Sequence, residues 1–414
     1  MKGLIRSILA GSALCLAGMP VTAQEMPRAE VMHWWTSGGE SAAIKTFADA
    51  YTKAGGVWVD SATAGGENSR AATINRMVGG KPPTAAQFNT GRQFDDLVTQ
   101  SLIRPIDELA NAGGWKDVMP PSLLAAASRD GELYALPINV HGQNWIFYSK
   151  NVLEKAGLSE LPKTWEEMIP ALQKIKDAGL TPLALGGQPW QERSLFNAIL
   201  LQQGGKDLYL KIYQDKDEAA VRSDGFLKVV ETYGALRGMV DAGSPGRSWN
   251  DTTALLLNDQ AGIQEMGDWV KGEFINAGKK PEVDYGCTVG LDDTMLMVGG
   301  DVFVFPKTDN PAQTKAQDLL VETMIGKDAQ VAFNLAKGSM PIRTDVDTSS
   351  FDACAQKGLK LLKNKDTQVP VFDILLSASL VGSIDDVLTQ FWNNKATQSD
   401  DVVEGFINAF EIEG

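Results

Sequence analysis

The chain has 414 residues, 43% apolar and 22% charged, with ten Trp, seven Tyr and fifteen Phe, which is material for two or three folded units and not for a disordered chain. Its 38 Lys and Arg stand against 52 Asp and Glu, and the resulting net charge of −14 argues against nucleic acid or an anionic membrane surface as a partner. With only two His and three Cys, a histidine-rich metal site is excluded and a cysteine cluster nearly so.

The first segment reads as a secretory signal peptide over residues 1–23. Lys2 and Arg6 open it, an apolar run follows from Ile8 through Leu16, and Val21-Thr22-Ala23 supplies the cleavage site. The run is well short of the ~20 residues needed to span a bilayer. Cys15 is not a lipid-anchor cysteine, because Ser12-Ala13-Leu14 precedes it in the wrong order. Cleavage removes two positive charges, taking −14 to −16, and leaves Cys287 and Cys354 in an oxidising compartment outside the cytoplasm. That even pair suits one disulfide; two buried free thiols are the alternative.

Strand and helix patterns then alternate. Glu30 to Trp34 reads as a strand, and Ile44, Phe47, Ala48 and Tyr51 repeat at helical spacing. Ala71, Ile74 and Met77-Val78 give a second helix, broken by Gly79-Gly80-Lys81-Pro82-Pro83, before a strand from Thr84 to Phe88. Leu133 to Ile138 and Trp145 to Tyr148 are strand candidates. Thr164 and Glu167 have capping-box spacing ahead of Trp165, Met168, Leu172 and Ile175 on one helical face. Strands are expected again at Pro182-Leu185 and Val302-Phe305, and helix over Ile384-Phe391. The alternation argues for α/β architecture with parallel sheets covered by helices, any two domains being joined by short crossings.

No dinucleotide fingerprint, P-loop or Gly-x-Ser-x-Gly elbow occurs, and neither His33 nor His141 has a helical His partner. Asp345-Val346-Asp347 begins like a calcium loop but has Ser350 where glycine is needed. Four segments carry unusual chemistry: His33 to Glu40, Pro137 to Trp145, Gly186 to Glu192 and Met266 to Glu273. Each places Trp beside amides or carboxylates just after a strand, where α/β folds hold ligands. Adjacent Trp34 and Trp35 diverge, so one indole can face a cleft and cover the C–H face of a sugar ring. The plain alternative is one core Trp, one surface Trp, and Glu40 serving the helix dipole.

Together these segments resemble the extracellular solute-binding proteins of ABC sugar importers, in the maltose-binding-like family and nearest its glucose/mannose branch. The resemblance runs from Val31 to Trp392. It rests on Trp34 to Glu40, Pro83 to Gln87, Asn139 to His141 with Asn144-Trp145, Gly186 to Gln188 with Trp190-Gln191, Pro245 to Arg247 with Trp249-Asn250, Met266 to Phe274, Lys337 to Ser339 with Pro341 and Arg343, and Gln390 to Trp392.

The resemblance implies a two-lobed periplasmic-binding-protein fold of type II, each lobe a mostly parallel sheet flanked by helices. Residues 24–138 plus 297–342 would form the N-terminal lobe and 139–296 plus 343–414 the C-terminal lobe. It implies a monomeric receptor with no catalysis, cofactor or metal, which binds one neutral sugar, a glucose/mannose-like monosaccharide or a related glycoside or disaccharide, and delivers it to inner-membrane permease subunits. Carried over by position, the sugar contacts would be Trp34, Trp35, Glu40, Asn89, His141, Gln188, Trp190, Trp269, Asp301 and Lys337, and Cys287 and Cys354 would pair. Departures fall at Asn89, Gly142-Gln143, Gly299-Gly300 and Phe372, where glucose binders carry charged or more polar groups. These losses of charged donors, and the space glycine opens, point away from glucose and admit a glycoside or disaccharide. Two rivals remain at this stage: a secreted glycoside hydrolase pairing Glu40 with Asp268 or Asp301, and a binder of a non-sugar such as a polyamine.

Overall fold

The structure is a computed structural model describing residues 26–413; the expected signal peptide, 1–23, lies outside the described residues. The strands in chain order are β1 (Arg28–His33), β2 (Val57–Ala62), β3 (Ala85–Asn89), β4 (Ser128–Arg129), β5 (Glu132–Leu133), β6 (Ala135–Pro137), β7 (Asn139–Gly142) and β8 (Trp145–Tyr148). They continue with β9 (Thr181–Leu183), β10 (Ala261–Met266), β11 (Gly286–Val289), β12 (Leu296–Gly299), β13 (Asp301–Val304), β14 (Met340–Pro341) and β15 (Gln368–Pro370). A five-stranded sheet has the order β2-β1-β3-β13-β6, and two four-stranded sheets have the orders β11-β8-β10-β9 and β14-β7-β12-β15.

All three larger sheets are mixed, which corrects the mostly parallel sheets expected. β1 runs parallel to β2 and β3, but β13 is antiparallel to both β3 and β6. β10 is parallel only to β9, and β12 only to β15. The physical reason is the return of the chain: β6–β7 leaves the first sheet and β12–β13 comes back beside it in the opposite direction. At this crossing the Ile138 N–H donates to the Asp301 carbonyl at 3.1 Å. Gly300 is needed there, since a Cβ would sit 2.5 Å from the Asn139 carbonyl oxygen. Register then sets Asp301 opposite Asn89, at the carboxyl end of β3.

The helix Gly38–Lys53 starts with a complete capping box, Ser37 accepting from the Glu40 N–H, and buries Ile44, Phe47 and Tyr51. The helix Trp165–Asp177 is capped by Thr164 and buries Trp165, Met168, Leu172 and Ile175, as its periodicity requires. The helix Gly66–Val78 is turned from the expected face: Ser69, Thr73 and Met77 are buried, whereas Ile74 and Val78 are exposed. Thr73 Oγ1 meets Met32 Sδ at 3.7 Å under the first sheet, so a small side chain is required where a larger apolar one was expected.

Two apolar clusters form the core. One joins the first sheet to Trp145, Phe147, Phe274 and Tyr285; the other lies among Trp165, Phe196, Tyr233 and Phe406. Cys287 and Cys354 are disulfide-bonded, fastening β11 to the helix Ala353–Leu362. Among the described residues, no helix is long and apolar enough to cross a membrane.

Candidate functional site

A cavity of about 620 Å³ lies where the carboxyl ends of β1 and β3 face the loops after β9 and β10. All ten residues that sequence reading nominated line it. They do not play equal parts.

Trp34 and Trp35 diverge at the end of β1. Trp35 is only 1% exposed, packed 5.9 Å from Phe303 and 5.4 Å from Phe333, with Lys337 Nζ 5.5 Å above its ring. It is a core residue that the cavity reaches. Trp34 is half-buried, with the Arg70 guanidinium 5.7 Å over its ring, and is the indole available to a ligand. Trp190 and Trp269 are also half-buried, their rings 6.2 Å apart and inclined by 54°.

Glu40 is occupied by the protein itself. Its Oε2 accepts from the Thr36 and Ser37 N–H groups at 3.2 and 3.3 Å, and Oε1 accepts from Lys337 Nζ at 3.2 Å. His141 is likewise committed: Nδ1 donates to Asp268 Oδ1 at 2.5 Å and Nε2 to Asp301 Oδ2 at 2.8 Å. Asp301 also accepts from Gln87 and Asn139, and Asp268 from the Gly142 N–H. Burial disfavours charge on His141, but the two carboxylates outweigh it and push the imidazole up to about 9. Burial raises Asp301, and the charge and hydrogen bond of His141 overcome it, so the carboxyl ends lowered. A ligand therefore meets these groups as a fixed charged wall. The carboxylate pairing of Glu40 with Asp268 or Asp301 proposed for hydrolysis finds all three held by internal partners.

Two of the nominated residues keep free amides. The Asn89 backbone N–H donates to Gln93 at 3.1 Å, while its side-chain amide has no partner among the described residues. Gln188 Oε1 accepts from Trp190 Nε1 at 3.2 Å and Gln191 Nε2 at 2.8 Å, which leaves its own NH₂ unused.

Several lining residues escaped the sequence reading. Trp249 and Asn250 belong to one of the motifs that carry the resemblance but were given no role. Arg193 lies one helical turn after Trp190 on the helix Pro189–Ile199, and that spacing was the available signal. Arg193 pairs with Asp385 and stacks 4.1 Å over Phe372. Burial pushes the Asp385 carboxyl up to about 6 against the pull of Arg193, and burial raises Asp373 in the same way. Arg70 and Arg193 also line the cavity, so guanidinium groups stand on its wall away from the positions where the glucose-binder pattern is departed from. Among the described residues, no group of three His, Cys, Asp or Glu could hold a metal ion.

A walled cavity of indoles and free amides, with Glu40, Asp301 and Asp385 held by internal partners, is the site of a receptor that encloses a solute. The chain belongs to the family of bacterial extracellular solute-binding proteins, whose pattern matches residues 35–331. It is 36% identical over 402 residues, 95% of each chain, to a "Probable sugar-binding periplasmic protein" of Rhizobium meliloti (strain 1021). It is 36% identical over 424 residues, 99% of each chain, to a protein of the same description from Brucella suis biovar 1 (strain 1330). Among solved structures, a chitin oligosaccharide binding protein superimposes with a TM-score of 0.80 at 17% identity, covering 94% of this chain and 99% of that one. Maltose-bound MalE3 of T. maritima gives 0.77 at 16% identity, covering 94% and 100%. The fold is thus the two-lobed fold of this family, and the protein is a binding protein, not an enzyme.

Proposed function

We propose that this protein is the periplasmic sugar-binding subunit of an ABC importer. It encloses one neutral sugar between its lobes and hands it to permease subunits in the inner membrane, acting as a monomer after loss of residues 1–23. One observation carries the reading: Trp34, Trp190, Trp249 and Trp269, all half-buried, surround a single cavity that also holds the unpaired amides of Asn89 and Gln188. An indole face covers the apolar C–H face of a sugar ring, and amides both donate to and accept from its hydroxyls. The names of the relatives support the same ligand class.

In this reading Trp35, Glu40, His141, Asp301 and Lys337 set the shape of the wall, and the crossings at Ile138–Asn139 and Gly300–Asp301 act as the hinge. The sugar touches both lobes at once, so it stabilises the closed form in proportion to its preference for that form. A melting-temperature screen against neutral sugars, amino acids and polyamines tests the proposal. A sugar that raises the midpoint and binds one-to-one supports it. Stabilisation by amines or amino acids, with none by any sugar, overturns it.

A further inference from the structure

Asn89 and Gln93 bring two amides to the cavity wall on one short segment, the link from the end of β3 into the single turn Arg92–Phe94. Gln93 Oε1 accepts from the Asn89 N–H at 3.1 Å, and Gln93 Nε2 reaches Asp373 at 3.4 Å. Thr90 ties down the near end, its N–H and hydroxyl both donating to the Gly300 carbonyl at 2.8 and 2.9 Å. Gly91 comes next at φ 129°, a backbone region that favours glycine, and a Cβ there would meet the Asp373 carbonyl oxygen at 2.2 Å. The segment is thus pressed against residue 373, with no side chain at Gly91 to anchor it.

The anchor comes from behind. Arg129, on the hairpin of β4 and β5, stands outside the cavity lining. Its guanidinium donates four hydrogen bonds: Nε to Asp95 Oδ1 at 2.7 Å, Nη1 to the Ala126 and Ser128 carbonyls at 2.9 and 2.7 Å, and Nη2 to the Gly91 carbonyl at 2.6 Å. It also lies 4.5 Å over the Phe94 ring. The bonds to Ala126 and Ser128 fix the guanidinium to its own stretch of chain. Those to Gly91 and Asp95 cross 38 and 34 residues and, with the ring contact, grip the segment on both sides of Gln93. A lysine has neither the fork nor the flat face to do this. An amide–hydroxyl bond of about 2.9 Å is lost once it stretches past ~3.5 Å, so a shift of well under ~1 Å disengages an amide. We infer that Arg129 is a positioning residue for the bound sugar: without touching the ligand, it fixes where the amides of Asn89 and Gln93 stand in the cavity. This inference rests on the sugar-binding reading above.

The test is a mutant cycle read by calorimetric titration. Arg129→Lys is made in the wild-type chain and in an Asn89→Ala/Gln93→Ala background. The probe is whichever of glucose, mannose, galactose, xylose, cellobiose and maltose binds the wild type most tightly. Arg129→Lys should weaken binding about tenfold in the wild-type chain and less than about twofold in the background, where the groups it positions are gone. Asp95→Asn loosens the same grip at a half-buried partner and should cost about threefold in the first chain and nothing in the second. It decides by the same comparison if Arg129→Lys does not fold. Unchanged affinity, or the same factor lost in both chains, overturns the inference, because a general loosening of the fold acts alike in both. In either case the probe still binds the wild type and the sugar reading stands. Failure of all these sugars to bind the wild type would remove both.

Discussion

Exchanging Trp35 and Trp34 for alanine, one at a time, separates the two tasks that adjacent indoles perform here. Trp35 is buried against Phe303 and Phe333, beneath Lys337. Truncation leaves a cavity in the core and costs about 3–5 kcal/mol of stability. At roughly 2–4 °C per kcal/mol, the melting midpoint should fall by about 10 °C. Trp34 is half-buried and faces the cleft, so its truncation should cost less than about 1 kcal/mol in folding. It should instead weaken sugar binding by about ten- to thirtyfold, from lost ring contact and apolar coverage. Urea melts give the first quantity and calorimetric titration with the stabilising sugar gives the second. A Trp35→Ala protein as stable as wild type but unable to bind, beside a Trp34→Ala protein that binds normally, would refute the division of labour.

The remaining predictions concern what holds the frame. Because His141 is raised from 6.5 to about 9 on folding, its contribution is complete below pH 6.5 and is lost as pH rises toward 9; it amounts to about 3 kcal/mol. Urea unfolding of wild type and His141→Asn between pH 6 and 9.5 checks this, the variant showing a flatter profile. Replacing both cysteines with serine opens a loop of 67 residues, and a loss of about 4 kcal/mol in equilibrium unfolding is expected with sugar affinity little changed. Gly300→Ala drives a Cβ against the Asn139 carbonyl, so thermal melting should reveal a loss of about 1–3 kcal/mol.

What the sequence disclosed was mainly local. The turn from His33 to Glu40 and the cap at Thr164 are set by residues within one helical turn of each other, and both were readable. Convergence of the Trp-bearing loops was readable too, because a strand's end fixes where its following loop can lie. The face of the helix Gly66–Val78 was not, since an exposed Ile74 and a buried Thr73 invert the usual rule for reasons that reside in Met32 across the sheet. Strand direction was hidden because alternating strand and helix patterns look alike whether the chain continues or returns, and only the pairing of β13 with β3 reveals the return. Which of Trp34 and Trp35 faces the cleft depends on which side of β1 is covered, and two-residue periodicity is silent on that. The presence of Arg70 and Asp373 on one cavity wall joins distant parts of the chain and had no local signal.

A crystal structure with the sugar that stabilises the protein most tests the central claim directly. The account predicts a saccharide ring against Trp34, Trp190 or Trp269, hydrogen-bonded to the side-chain amide of Asn89 or Gln188, with Trp35 still in the core. A sugar bound elsewhere on the surface, with the indole-lined cavity empty or filled by a different class of solute, would contradict it.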